Sequence, residues 1–397
     1  MVDIPGMRVQ TLSDRTNVDG LPFKLLCLSD IHLGHHRVET EFILGNLATY
    51  LLDRNFMRGV NLVVFAGDVF DRLIYLSQDF ITDVDVFFVR FFTLCKSMGI
   101  RVLILEGTRS HDRGQSARLV RLNEHLAKVD ADVVYIPNLM VYHDERFGLD
   151  YLFVPDEWHH DPNETLRQAK QLMAAHELTQ VDFAFMHGNF HYQLPAIVKA
   201  PKHDEHEYLK LVRWAIFIGH IHIRSQFEWI YAQGSFDRLS QNEEDPKGFY
   251  QYELTADGRG IATFVENVNA KIHTRVDCRG LDTEAGLDKV SAVARTLPDD
   301  SFIEVFVYKG SALASTRVFA ERFSRLRWSI KVEGQIVAEQ VYELKKDLDY
   351  QPVYIEPATI VGLVAERFEK QKVDNEVGAL ALSLLSTLVK EVADARL

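Results

Sequence analysis

At 397 residues, 47% of them apolar and 25% charged, the chain is long for one domain and ordinary for a globular protein, so two or three domains are expected. A formal charge of -13 excludes a surface that attracts polyanions everywhere, so a nucleic-acid substrate would need metal ions or local basic patches to draw it in. Three widely spaced cysteines, Cys27, Cys95 and Cys278, exclude a disulfide framework or a thiolate zinc site; without a membrane-length apolar run or a signal segment, a cytoplasmic protein with no membrane contact is expected.

Residues 1–20 are polar and without period, and read as a short lead-in. From Phe23 onward, apolar runs of strand length alternate with stretches of helical spacing, the pattern of a sheet covered by helices. Strands are predicted at 23–29, 61–66, 101–105, 181–186 and 214–218, each followed at once by polar residues able to bind metal. Because open α/β sheets place their sites beyond the strand ends, that coincidence organises the chain.

The first strand ends in Asp30 and His32, which in extended chain point to the same side and can reach one ion. Alone, such a pair arises often by chance and describes a solvated loop. The second strand runs into Gly67-Asp68-Val69-Phe70-Asp71-Arg72, where Gly67 permits a tight turn and Asp68 can bridge two cations. The third runs into Glu106-Gly107-Thr108-Arg109-Ser110-His111-Asp112-Arg113. There His111, with Asp112 beside it, suits a general acid or a donor of positive charge, and Arg109 and Arg113 add charge for an anionic substrate.

Asp161-Pro162-Asn163-Glu164 then reads as an N-cap, a first-turn proline and a capping-box glutamate, opening a packing helix that runs to about Leu178. His159, His160, His35, His36, His203 and His206 read as surface residues. The fourth strand leads to His187 and the fifth to Gly219-His220-Ile221-His222, two imidazoles two residues apart that can address different ions.

In order, DIHLGHH, GDVFDR, SHD, MHG and GHIH resemble the signature of the calcineurin-like metallophosphoesterases, over Asp30 to His222. Tyr231-Ala-Gln-Gly234-Ser235, followed by Lys247-Gly248-Phe249, more narrowly resembles the SbcD-type nucleases, the meiotic recombination eleven family. The resemblance implies an α/β fold: a metallophosphoesterase β-sandwich flanked by helices over 21–269, a smaller α/β capping domain over 270–345 and a C-terminal helical segment over 346–397. It implies Asp30, His32, Asp68 and His222 around one metal and Asp68, His187 and His220 around a second, with Asp68 bridging, His111 as the catalytic histidine and Asp112 orienting it. The third block departs from the pattern. Where the family has an asparagine ligand, this chain has Ser110 in a longer Gly-Thr-Arg-Ser-His run, so Ser110 or Thr108 binds weakly, water substitutes, or the second site is loose. A mixed His and carboxylate set suits Mn2+, Fe2+ or Zn2+ better than Mg2+, and the resemblance puts Mn2+ first.

Beyond about residue 269, strands at 271–276, 301–308 and 328–332 with helices at 283–297 and 313–326 resemble the capping unit that grips duplex DNA in that family. Arg317, Arg322, Arg325, Arg327 and Lys331 are read either as phosphate contacts or as a solvated helix face. From about Pro357 the chain is helical; Val377, Leu380, Ala381, Leu384, Leu385, Leu388 and Val392 form a stripe in a helix starting near Asn375. The resemblance implies that this helix docks an SbcC-type coiled-coil ATPase. The expected activity is therefore a metal-dependent DNA exonuclease or endonuclease in double-strand-break processing, recombination or replication, acting on double-stranded DNA as a homodimer with that ATPase. The alternatives are a phosphodiesterase or phosphatase for small substrates, and a scaffold that keeps the fold without catalysis.

Overall fold

The computed structural model describes residues 7–11, 22–74, 80–240, 243–334, 361–362, 364–365, 368 and 375–394. They form two compact units, 1–333 and 334–397. The first opens with β1 (Met7–Thr11), β2 (Phe23–Leu28), α1 (Thr40–Leu51), β3 (Leu62–Ala66), α2 (Phe80–Met98), β4 (Arg101–Leu105), α3 (Ala117–Arg121) and β5 (Val133–Ile136). It continues through β6 (Met140–Asp144), β7 (Leu149–Val154), α4 (Pro162–Ala175), β8 (Val181–His187), α5 (Glu205–Leu211), β9 (Val212–Gly219), β10 (Ser225–Phe227) and β11 (Ile230–Ala232). The hairpin β12 (Gly248–Leu254) and β13 (Arg259–Glu266) precedes β14 (His273–Asp277), α6 (Thr283–Ala294), β15 (Phe302–Tyr308), α7 (Thr316–Ala320) and β16 (Arg327–Glu333). The second unit holds α8 (Asn375–Asp394).

Two sheets, ordered β1-β13-β12-β2-β3-β4-β5 and β10-β11-β9-β8-β7-β6, pack face to face with helices outside. The layering follows from strands that are apolar on both sides. In β2, Leu25 and Cys27 point into the core between the sheets, against Phe183, Phe185 and Phe217, while Leu26 and Leu28 point at the helices. In β8 the same alternation sends Phe183 and Phe185 inward and Ala184 and Met186 toward Ala169 and Met173 of α4. The outer face of the first sheet is covered by Ile43, Leu44 and Leu47 of α1 and by Phe87, Phe88, Phe91 and Phe92 of α2, each set at helical spacing. Truncating one of these buried phenylalanines to alanine would cost about 3–5 kcal/mol.

The parallel runs β2-β3-β4-β5 and β7-β8-β9 bring the ends of β2, β3, β4, β8 and β9 to one edge of the sandwich. This arrangement is an α/β fold of two packed sheets flanked by helices. The lead-in is not wholly irregular, because residues 7–11 pair antiparallel with β13 at the sheet edge. The capping unit expected over 270–345 is not a separate compact unit: up to Glu333 it belongs to the first, where a third, parallel sheet, β14-β15-β16, called the small domain below, has its own core around Val290, Ile303, Val305, Val307, Leu313 and Phe319.

Three local expectations are corrected. The helix foreseen at 313–326 is helical only over α7, because the Arg325 guanidinium turns back to donate to the carbonyls of Ala294 and Leu297 at the end of α6. Asp161 does cap α4, accepting from the Asn163 N–H at 2.9 Å, but Glu164 closes no capping box: its carboxylate pairs with Arg167 and Gln168. The basic face of the small domain is largely self-neutralised, with Arg317 on Glu321, Arg325 on Asp299, Arg327 on Glu39 and Asp300, and Lys331 on Glu304. Among the described residues, no helix is long and apolar enough to cross a membrane.

Candidate metal centre

Five strand ends deliver seven polar side chains to one cleft, and glycines make their approach possible. A Cβ on Gly67 would stand 2.2 Å from His187 Nδ1, and one on Gly107 would stand 2.1 Å from the Asp68 nitrogen. Four of the candidate ligands hold left-handed backbone: Asp30 (φ 52°), His32 (φ 55°), Asp68 (φ 52°) and His220 (φ 100°). For residues with a Cβ this conformation costs about 1–3 kcal/mol each, and such strain gathers at functional sites.

Candidate ligand atoms fall into three overlapping groups: Asp30, His32 and His222; His32, Asp68 and His111; and Asp68, His187 and His220. Asp68, shared by two groups, is the hub. Its Oδ2 lies 3.2 Å from His187 Nε2, 3.7 Å from His32 Nε2 and 2.9 Å from His111 Nδ1. Across the cleft His32 Nε2 and His222 Nε2 face each other at 3.1 Å. Burial alone would raise the Asp68 carboxyl, yet His187 and His111 hold it well below the usual carboxylate range. His187 is the reverse case: burial alone would lower its imidazole, and Asp68 raises it well above the usual histidine value.

The donor set fits a metal ion. His187 turns Nδ1 to the carbonyl of Ala66 at 2.7 Å, which places the proton there and leaves Nε2 aimed at Asp68. His222 turns Nδ1 to Glu243 at 3.2 Å, leaving Nε2 aimed at His32 and Asp30. Lone pairs directed at one another and at carboxylates repel unless a proton or cation lies between them. An outer carbonyl or carboxylate on the far nitrogen is how metal-binding imidazoles are held. The buried His and Asp side chains can therefore hold a metal ion.

The third block settles differently from its sequence reading. Ser110 is exposed on the loop and contributes only its carbonyl, to Arg113 Nε at 3.1 Å. Thr108 stands in the cluster instead, its Oγ1 3.1 Å from Asp68 Oδ2, 3.4 Å from His187 Nε2 and 3.3 Å from His220 Nδ1. The reason is local: Thr108 directly follows the glycine at the strand end, as Asp68 follows Gly67 and His220 follows Gly219, whereas Ser110 has already entered the outward turn. That repeated strand-glycine-ligand order was the available signal.

Asp112 does not orient His111. Wholly buried, it accepts from the backbone N–H groups of Asp68 (3.0 Å), Phe70 (2.9 Å) and Gly107 (2.9 Å), lacing the second and third loops together. Burial and then the Asp68 charge push its carboxyl up to about 8, against the pull of those donors. The partner of His111 is Asp68, whose hydrogen bond raises the half-buried imidazole above its ordinary value at the cleft mouth. Arg109 and Arg113 are exposed on the same loop.

One further residue, Glu243, carries no sequence signal. Glu243 is nearly buried and binds His222, Ser235 Oγ (2.9 Å) and Lys247 Nζ (2.9 Å), while Lys247 donates to the His222 carbonyl at 2.7 Å. Ser235 N–H donates to that same carbonyl at 3.1 Å, so the Gly-Ser and Lys-Gly-Phe segments clasp His222. Asp71 lies 3.2 Å from His32 Nδ1.

No family model matches the chain, and no curated protein matches it. Among solved structures it is similar to the crystal structure of TT1561 of Thermus thermophilus, at 10% identity and a TM-score of 0.36, over 61% of this chain and 99% of that one. A second solved structure is 10% identical with a TM-score of 0.37, over 62% of this chain and 100% of the other. Likenesses this distant carry no functional inference.

Proposed function

We propose that this chain is a metal-dependent phosphodiesterase that cleaves DNA, with two divalent ions, Mn2+ first among them, held by Asp30, His32, Asp68, His187, His220 and His222. The observation that carries the reading is the hub at Asp68, a carboxylate shared by two of the candidate ligand groups, with the His111 imidazole hydrogen-bonded to it. The ions, when bound, supply positive charge that offsets the phosphodiester anion and acidifies the attacking water. His111, held by Asp68, is placed to steady a phosphate oxygen or give a proton to the leaving oxygen. Glu243 and the Ala66 carbonyl fix which nitrogen each of His222 and His187 presents.

The nuclease reading, rather than one for small phosphoesters, is supported by the clasp on His222, built from the two segments that resemble the SbcD-type family. A coiled-coil ATPase partner and a role in DNA break processing, recombination or replication belong to the same proposal. Its support is the exposed Val377, Leu380 and Leu384 on one face of α8. The test is cleavage of linear duplex DNA with manganese, run beside bis-p-nitrophenyl phosphate. Wild type should cut DNA while Asp68→Ala and His111→Ala each lose about a hundredfold or more of the rate. Turnover of the small ester without DNA cleavage would assign a small-substrate enzyme, and DNA binding without any cleavage a scaffold.

A further inference from the structure

Where β14 leaves the sandwich, the small domain and the loop after β2 enclose a cavity of about 560 Å³, within the range of small-molecule sites. Arg37 and Lys271 supply cationic walls, and Val38, Leu239, Phe302 and His273 supply apolar and aromatic ones. Lys271 is only 4% exposed, and its ammonium rests 4.1 Å above the ring of Phe42. Among the described residues no carboxylate lies within ion-pair distance of it, nor of the exposed Arg37 guanidinium. A buried ammonium without a direct ion pair is costly unless negative charge is brought close to it. Asp300 on the cavity wall, Glu39 and Asp237 act on Lys271 only from beyond ion-pair distance, and Asp300 and Glu39 are themselves engaged by Arg327. Beside these cations, the half-exposed ring of Phe302 lies 5.8 Å from that of His273, whose buried Nδ1 has no partner among the described residues.

In a chain of net charge -13, a buried lysine and an exposed guanidinium that have no ion-pair partner among the described residues, set beside an aromatic wall in one cavity, call for an anion that carries a flat ring. We propose that this cavity binds a nucleoside phosphate, with its phosphate against Lys271 and Arg37 and its base against Phe302. None of the lining residues is a candidate metal ligand, so the site stands independently of the function proposed above.

The test uses the full chain stripped of metal and held in EDTA, which keeps the result separate from any phosphodiesterase activity. Calorimetric titration with deoxyadenosine monophosphate should saturate below about 1 mM, with inorganic phosphate about tenfold weaker or more. Arg37→Ala and Lys271→Met should each weaken the nucleotide about tenfold. Phe302→Leu should weaken the nucleotide a few-fold and leave phosphate unchanged. Arg37 is exposed, so its variant keeps the proposal testable if Lys271→Met unfolds. Saturation by a short 5′-phosphorylated single strand but not by the mononucleotide, lost in the same variants, would assign the phosphate to a strand end. Absence of saturation by both, or nucleotide binding unmoved in Arg37→Ala, overturns the site. Equal affinity for phosphate and nucleotide overturns recognition of the nucleoside.

Discussion

Thr108 shows how one side chain tunes a shared site. A hydroxyl stands among Asp68, His187 and His220 where an amide carbonyl would be the stronger ligand, and its N–H also donates to Asp68 Oδ1 at 2.6 Å. Thr108→Val keeps the shape and the backbone bond but removes the oxygen. Titration of manganese into EDTA-stripped protein should show the second ion weakened about tenfold and the first unchanged; superimposable isotherms for variant and wild type would remove Thr108 from the site. A second residue-scale consequence concerns Asp237, whose carboxyl burial drives up to about 7, with the Asn46 amide at 3.0 and 3.1 Å only partly offsetting it. A carboxyl with a folded pKa raised above its unfolded value binds protons more tightly in the fold, so its contribution to stability declines as pH rises from about 4 to about 7 and is level above that. Asp237→Asn should therefore flatten the slope of thermal midpoint against pH between those limits. An unchanged difference between variant and wild type across that window would exclude the linkage.

At the scale of elements, the five strands ending in the cleft were legible because each is a doubly buried apolar run, and such runs stand out in composition alone. Predicted 101–105 coincides with β4, and predicted 61–66 differs from β3 by one residue. The side chains that gather in the cleft were legible for the same reason, since they begin where the apolar run stops. What was not legible depends on contacts distant in sequence. The edge strand β1 needs β13 to define it, the short α7 is set by Arg325 reaching back to α6, and Glu243 meets His222 only through the folded loop. The strand-end loops are also where the fold is least forgiving. At Gly67 (φ 88°) a Cβ would drive into the His187 ring and demand a left-handed backbone as well, so Gly67→Ala should lower the thermal midpoint and displace a ligand. The expected cost is about 2–4 kcal/mol, read by chemical denaturation, together with loss of manganese binding. A variant with wild-type stability and metal content would show that the loop yields more easily than its geometry implies.

Across the whole first unit, the candidate ligands divide between the two sheets of the sandwich. Asp30, His32 and Asp68 follow β2 and β3 of one sheet, and His187, His220 and His222 end or follow β8 and β9 of the other. An ion held by both groups is a cross-link between layers that otherwise meet through side-chain packing, and it exists only in the folded chain. Mass action then predicts stabilisation of about 2.7 kcal/mol for each site at a hundredfold excess over its dissociation constant. For a unit of this size that corresponds to a rise in thermal midpoint of about 5 °C or more. The small domain has its own sheet and core and contributes none of these ligands, so the effect should be confined. Hydrogen exchange with and without manganese should slow at the ends of β2, β3, β8 and β9 together, while β14, β15 and β16 exchange as before. Protection that appears in one sheet alone would mean that the two halves of the cleft do not share a metal, and the bridging place of Asp68 would have to be given up.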